Sequence, residues 1–537
     1  MPRLDRRHFL RLLALQAAAW SLSCGRHEGG SATDRAASAP GLPANPHAGR
    51  WLGDDFTLGH RIRDGAHPPW SEGALAEAAD VLVVGAGISG LAAACELARE
   101  GRRVTILEQA AEIGGNSKSA RWGDIEYAIG AAYFTRPDPG SRLEKLYREL
   151  GVLEHARPVG HGDVFSQGRL MREFWTGATA GGDAAAIAAT RRVAAVFHDL
   201  YEQRYPAIPW TPATKGWTRR QFERADRTPF AAWLDEVAAP PDVRTFCEYY
   251  CWSSFGASAS EVSSYAGLNF LTAEFGEVFA LPGGNASIAR SLADLARRRG
   301  VRIVTGTAAG RVTQSRAGVE VATLNGEGVR RFPARAAVLA VPRFVVRRIV
   351  ADFPEPRATL VDAMKWRAYV VANVLLAKRP EPLWYDAYRI EPLEVEGAGW
   401  TDLVLADYVA DARPGYAVLT AYRALAFDAG RPSLLADDSL AAHREAVRRD
   451  LAPWLAALGL EERDVVDINL ARWGHPLVLA QPGQLAGGAM ERLSAPLGHL
   501  AFAHQDRYGV PAIENALAAA FAASDEILRM SWVATES

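Results

Sequence analysis

Between Asp80 and Glu108 the chain reads DVLVVGAGISGLAAACELAREGRRVTILE. The spacing puts Gly85, Gly87 and Gly90 in a G-x-G-x-x-G arrangement directly after a short apolar run. Bare backbone at such a turn lets a diphosphate approach the amides, and the start of a following helix adds free N–H groups and a partial positive charge. Gly85 allows the tight turn, Gly87 the approach of the pyrophosphate, and Gly90 the close packing of helix on strand. Ile88 and Ser89 open that helix. Glu108 closes the second apolar run 18 residues after Gly90, where a carboxylate accepts hydrogen bonds from ribose hydroxyls and disfavours a 2′-phosphate. The chemistry expected is dinucleotide binding without NADP.

These residues require a particular frame. VLVV reads as a buried parallel strand, LAAACELARE as a helix ended by Gly101, and RRVTILE as a second strand, a βαβ unit in the right order. Downstream, Ala296–Gly300 (ARRRG) reads as a helix C-terminus, where cations offset the dipole and glycine caps the turn. Aromatic runs at Glu248–Gly256, Met364–Ala377 and Pro382–Tyr388 are expected to be core, the last two as strands.

After Glu108 come Gln109 and then EIGGNS, with Gly114, Gly115, Asn116 and Ser117. YAIGAAYF follows at Tyr127–Phe134. Leu281–Val312 (LPGGNASIARSLADLARRRGVRIVTGTAAGRV), Ala336–Val350, Ala471–Pro476 (ARWGHP) and the C-terminal HLAFAHQDRYGVPAIENALAAAF complete a series of blocks. In this order they resemble the flavin amine oxidase superfamily of amine oxidases, polyamine dehydrogenases, protoporphyrinogen oxidases and phytoene desaturases. The resemblance implies FAD as cofactor. It places Gly114–Ser117 on the flavin side of FAD, with Gln109 beside the ribose acid. It places Gly130, Ala131 and Ala132 near the isoalloxazine, Val312 at the adenine through its backbone, and, in the closing strand–loop–helix, Ile513 at the cofactor and Asp506 at the ribityl chain, with Gln505 as the competing alignment.

The implied architecture is α/β, a Rossmann-type FAD-binding domain interleaved with a substrate domain of mixed sheet plus helices. The cofactor segments are 78–140, 281–342 and 484–530. The substrate segments are 141–280 and 343–483.

The resemblance also implies hydride transfer from a substrate C–H bond, often beside nitrogen, to the flavin. The departures from it are informative. No lysine stands on the strand VVANVLL, where oxidases of the family hold a water. No acid–base pair stands out, and the tyrosine pair of monoamine oxidases has no counterpart, since Ala512 occupies one such position. A dehydrogenase passing electrons to an acceptor of unknown identity is therefore expected over an oxidase. Three residues are candidates for the missing catalytic roles. His504 either bonds flavin or substrate or satisfies a loop carbonyl; Tyr508 either faces substrate or is a loop aromatic; Trp473 either walls the pocket or packs the core. Two other readings remain open: a flavin-dependent isomerase or desaturase-type enzyme on an apolar substrate, and a non-catalytic FAD-stabilised binding protein.

The chain has 537 residues, 23% of them charged, with a formal net charge of −2. That balance gives no argument for a nucleic-acid partner, and a small-molecule substrate is expected. Four cysteines form no C-x-x-C, and no Cys/His cluster has zinc spacing, so no metal site is expected. The N-terminus carries Arg3, Arg6, Arg7 and Arg11 before an apolar stretch too short to anchor in a bilayer. DRRHFLR resembles the twin-arginine export motif, and residues 1–24 are expected to be such a signal peptide, sending a folded, cofactor-loaded protein to the periplasm. Residues 25–77 form a linker and extension. Membrane contact is expected only during export or through a lipid on Cys24.

Overall fold

A computed structural model describes residues 41–160, 162–392, 399–410 and 413–530. The described residues from Ala44 onward form the larger compact unit of the chain. The leader and Cys24 lie outside the described residues, so the export and lipid expectations have no structural counterpart here. Among the described residues no helix is long and apolar enough to cross a membrane.

The larger unit is α/β and carries two eight-stranded sheets. One is a nucleotide-binding sheet. Its strands run Arg302–Val304, Val104–Leu107, Ala79–Val84 and Val329–Leu339, all parallel, with Leu500–Phe502 parallel to the last. The antiparallel strands Gly318–Leu324 and Ala308–Ser315 extend it. Continuous burial explains the unbroken apolar run Val81–Val84: helices Ile88–Arg99, Ala286–Arg298 and Ile513–Arg529 cover one face, and Val312, Val321, Phe332 and Ile349 pack on the other. Gly90 is required by packing, because a Cβ there would lie 2.0 Å from the Gly85 carbonyl oxygen. Gly85 turns at φ +102°, a conformation closed to most side chains. The ARRRG segment ends the helix Ala286–Arg298, and Gly300 follows at φ +78°.

The second sheet runs Trp51–Gly53, Val465–Val478, Trp366–Leu376, Ala417–Ala424, Asp402–Leu405, Asp386–Arg389, Asp163–Ser166 and Arg169–Met171. Alternation sorts its side chains. Val370, Ala372, Leu403, Ala421 and Leu470 enter a core with Phe165, Trp384, Trp400 and Trp454. The opposite face carries a row of paired residues, Tyr388, Asp402, Tyr422 and Val371, beside the Tyr369–Trp473 pair. This face is the floor of the functional cavity. The run Met364–Ala377 is a strand over Trp366–Leu376 as its composition predicts, whereas in Pro382–Tyr388 only the end is strand.

A helical layer, Ala184–Gln203, Pro241–Phe255 and Ser264–Ala273, packs through Phe197, Phe246 and Leu268. Cys247 and Cys251 are free and buried on the second of these helices, and Cys95 is free and buried on Ile88–Arg99. No His/Cys/Asp/Glu cluster among the described residues has the arrangement of a metal centre.

Candidate active site

The helix Ile88–Arg99 begins without any side-chain cap on its first N–H groups. Those donors face a continuous cavity of about 1950 Å³ that Gly85, Gly87, Ile88 and Ser89 line. Typical single-ligand pockets measure roughly 300–1,000 Å³, so this one has room for a dinucleotide and a substrate together. Gly87 meets the second glycine pair here: Gly114 N–H donates to the Ala86 carbonyl at 2.9 Å, and a Cβ on Gly115 would lie 3.1 Å from the Gly87 Cα. The two loops therefore touch: a Cβ on Gly115 would crowd the contact, whereas one on Gly87 would meet no protein atom nearer than the Gly115 Cα at 3.7 Å. Glu108 is buried, its carboxylate accepting the N–H of Ala86 at 2.6 Å and of Ala110 at 2.9 Å. Burial pushes its carboxyl above the ordinary range, against the pull of those two amides. It ties the first glycine loop to the end of the second strand and keeps lone pairs for a ribose.

At the other end, Asn116 and Gly130 bring the flavin-side loops onto the floor. The Asn116 carbonyl accepts the Ala131 N–H at 3.2 Å, and a Cβ on Gly130 would lie 2.0 Å from that same oxygen. Trp473 Nε1 donates to the Ile129 carbonyl at 2.7 Å and Tyr422 hydroxyl to the Gly130 carbonyl at 2.9 Å. Asn116 and Gln505 side-chain amides both donate to the Pro476 carbonyl. Gln109, Ser117, Ala131, Ala132, Ile513, His504 and Trp473 all line the same cavity.

Four of the residues selected from sequence do not line it. Gly90 lies beneath the helix start, where its role is packing. Val312 is in the core beneath the neighbouring Gly310 and Arg311, and its carbonyl accepts the Ala351 N–H. Tyr508 packs against the helical layer, off the cavity lining. Asp506 is fully buried behind the cavity wall, accepting the Arg343 N–H at 2.9 Å and Trp366 Nε1 at 3.0 Å. Its Oδ1 lies 3.1 Å from His504 Nδ1. Burial pushes the Asp506 carboxyl up, but His504 and the two donors outweigh it and hold it below the ordinary range. Asp506 thus orients His504, leaving the far ring nitrogen of that histidine without a protein partner among the hydrogen bonds of the described residues. Replacing Asp506 by Ala leaves two buried donors unpaired, and thermal unfolding should show a loss of roughly 3 kcal/mol.

The floor supplies what local motifs do not announce. Glu274 follows the helix Ser264–Ala273 and lines the cavity half-buried, accepting the Tyr250 hydroxyl at 3.1 Å and meeting the Tyr133 hydroxyl at 3.5 Å. Asp402 is buried and accepts the Thr401 hydroxyl at 2.6 Å. Asp386 lies on the same sheet face, one Oδ1 without a hydrogen-bond partner. Burial, foremost, pushes Glu274 up to about 7 and Asp402 up to about 6, and burial with the neighbouring Asp402 raises Asp386 as well. No cation figures among the main influences on any of the three. Tyr369 and Tyr422 stand edge-on with ring centroids 6.1 Å apart, so the aromatic wall that Ala512 does not supply comes from the sheet floor.

A nucleotide cradle opening onto an enclosed acidic and aromatic chamber defines a flavoprotein oxidoreductase. The family model for flavin-containing amine oxidoreductases matches residues 88–528, and the chain belongs to that family. Oxidoreductase PigB of Serratia sp. (strain ATCC 39006) is 24% identical over 505 residues, covering 83% of this chain and 75% of that protein. (S)-6-hydroxynicotine oxidase of Paenarthrobacter nicotinovorans is 26% identical over 299 residues, 53% of this chain and 65% of that protein. A solved putrescine oxidase bound to putrescine shares the fold, with TM-score 0.64 and 18% identity, over 84% of this chain and all of that one. The cofactor is FAD. The uncapped helix start, the paired glycine loops and the buried ribose acid fit its diphosphate and sugar.

Proposed function

We propose that this protein is an exported FAD-dependent amine dehydrogenase, taking a hydride from the carbon beside a basic nitrogen and passing the electrons to an acceptor other than oxygen. The observation that carries the reading is the placement of Glu274, a half-buried carboxyl held by Tyr250 on the wall of a tyrosine-lined cavity that the flavin-side loops share, where burial pushes it up to about 7. When bound, FAD supplies the hydride acceptor. The remaining tasks fall to the chain.

An amine arrives as an ammonium, and hydride removal needs its nitrogen lone pair. Glu274 as carboxylate attracts the cation and takes its proton, so a neutral amine and a neutral acid replace two charges in a dry chamber. Loss of hydride from the adjoining carbon then leaves an iminium product. Tyr250 and Tyr133 hold Glu274 in place. Tyr369, Tyr422 and Trp473 exclude water from the floor. The lysines that line the cavity are Lys118 and Lys215; Lys118 acts on Glu108, while Lys378, beyond the floor strand, bonds the Gly459 carbonyl. No lysine of the floor strand Trp366–Leu376 is available to hold a water at the flavin, which favours an acceptor other than oxygen.

Anaerobic titration of the purified protein tests the reading, beginning with putrescine and 6-hydroxynicotine, the compounds named for two relatives. Bleaching of the oxidised-flavin band, at roughly 450 nm, is expected with an amine, followed by faster reoxidation by a quinone than by oxygen. Intact flavin that no amine bleaches would defeat the reading. For export, Arg6→Lys with Arg7→Lys should retain the flavoprotein in the cytoplasm; its arrival in the periplasm would overturn that part.

A further inference from the structure

The cavity has a wall that the family match does not include. That match begins at residue 88, yet Asp54, Phe56, Gly59, His60, His67 and Trp70 line the same space as the glycine loops. This segment is fastened at both ends to different sheets. Trp51–Gly53 pairs in parallel with Leu470–Arg472 of the floor sheet. Ala74–Leu75 pairs in parallel with Arg330–Arg331 of the nucleotide-binding sheet.

Between these anchors the segment crosses the adenosine side. A Cβ on Gly59 would lie 3.4 Å from Gln109 Oε1, next to the ribose acid. Trp70 lies against Gly310, so closely that a Cβ there would stand 2.1 Å from the indole ring. Gly310 sits at a register break in the strand Ala308–Ser315, on the stretch that lines the cavity. His67 stacks on Trp70 with centroids 4.0 Å apart, and Phe56 on His60 at 4.5 Å. The crossing is pinned again at its start: Asp54 accepts the Gly474 N–H at 2.9 Å, and the Arg472 guanidinium lies 4.5 Å from the Phe56 ring centroid.

We infer that Asp54–Trp70 is a cofactor-retaining strap, with Trp70 and Phe56 as binding residues for the adenosine half of FAD. A ligand beneath a segment tethered to both sheets leaves only when the crossing opens. Retention then depends on how tightly the strap packs as well as on the phosphate cradle. Ring stacking on two aromatic pairs and the hydrogen bond of the half-buried Asp54 carboxyl to Gly474 at one anchor oppose that opening.

The test reads FAD release directly, through the change in flavin fluorescence as an excess of competing apoflavoprotein captures FAD leaving the holoprotein. Gly65 is exposed, with nothing within 4 Å of a Cβ placed there, so a protease site inserted at that turn leaves both anchors intact. Cleavage should speed FAD release at least tenfold while the far-ultraviolet spectrum stays unchanged. Trp70→Ala in the uncut chain should speed it severalfold. Equal release before and after cleavage, in a preparation shown to be fully cut, would overturn the strap. Neither measurement depends on the amine reaction.

Discussion

Gly87→Val should yield a folded, colourless protein. The reason is local. A Cβ at position 87 meets no protein atom nearer than the Gly115 Cα at 3.7 Å, so the chain itself accommodates the first added carbon. What it obstructs is the space beside the uncapped N–H groups at the start of Ile88–Arg99, where a diphosphate must come to backbone contact. Loss of that contact should weaken FAD by roughly a hundredfold or more, at 1.4 kcal/mol per tenfold. Isothermal titration of the apoprotein with FAD measures it, and far-ultraviolet circular dichroism checks the fold. Gly90→Val is the informative contrast: its Cβ would stand 2.0 Å from the Gly85 carbonyl, so it should damage folding as well as binding. A yellow Gly87→Val protein with unaltered FAD affinity would remove the cradle from the cofactor site.

Glu274→Gln should retain FAD and lose turnover. The amide keeps the shape of the side chain and cannot take a proton from an ammonium. General-base contributions run to roughly a hundred- to ten-thousandfold, and kcat/KM for the best amine should fall within that range. The pH profile adds a sign. The carboxyl is useful only when ionised, so the native rate should rise with pH through about 7. The glutamine variant should lack that limb.

Stability moves the opposite way. Glu274 holds its proton more tightly folded, at about 7, than at its ordinary 4.5. Stability is therefore highest below 4.5 and falls as pH rises through this window, by roughly 3 kcal/mol at 1.36 kcal/mol per unit. Asp402, raised to about 6, steepens the same fall. Glu274→Gln should flatten it and be the more stable protein above pH 7. A rate limb that survives in Glu274→Gln would assign the base elsewhere.

The tyrosines and acids of the chamber show why one half of the site was harder to read than the other. Tyr250 and Tyr369 lie in aromatic runs whose composition predicts core, and they are buried, but their hydroxyls also belong to the chamber. Glu274 lies in LTAEFGEVF, a stretch with no motif. Asp386 and Asp402 belong to strands joined across a register, Tyr388 opposite Asp402, that no local spacing reveals. The one available signal was alternation, Asp386 and Tyr388 falling on one strand face. Asp506 was legible as a residue of the closing loop. Its place behind His504 depends on Arg343 and Trp366, which arrive from distant segments.

The amino-acid sequence alone determined the nucleotide cradle. Strand, glycine turn, helix and acid are contiguous between Asp80 and Glu108, and each acts through its neighbours in the chain, so spacing and residue type suffice. Only the tertiary structure decided the chemistry at the other end of the cavity. Glu274, Asp402, Tyr422 and Tyr133 are far apart in sequence, and the proton affinity of Glu274 arises from desolvation, a property of the surroundings that exists only once helix, sheet and loops have closed around it.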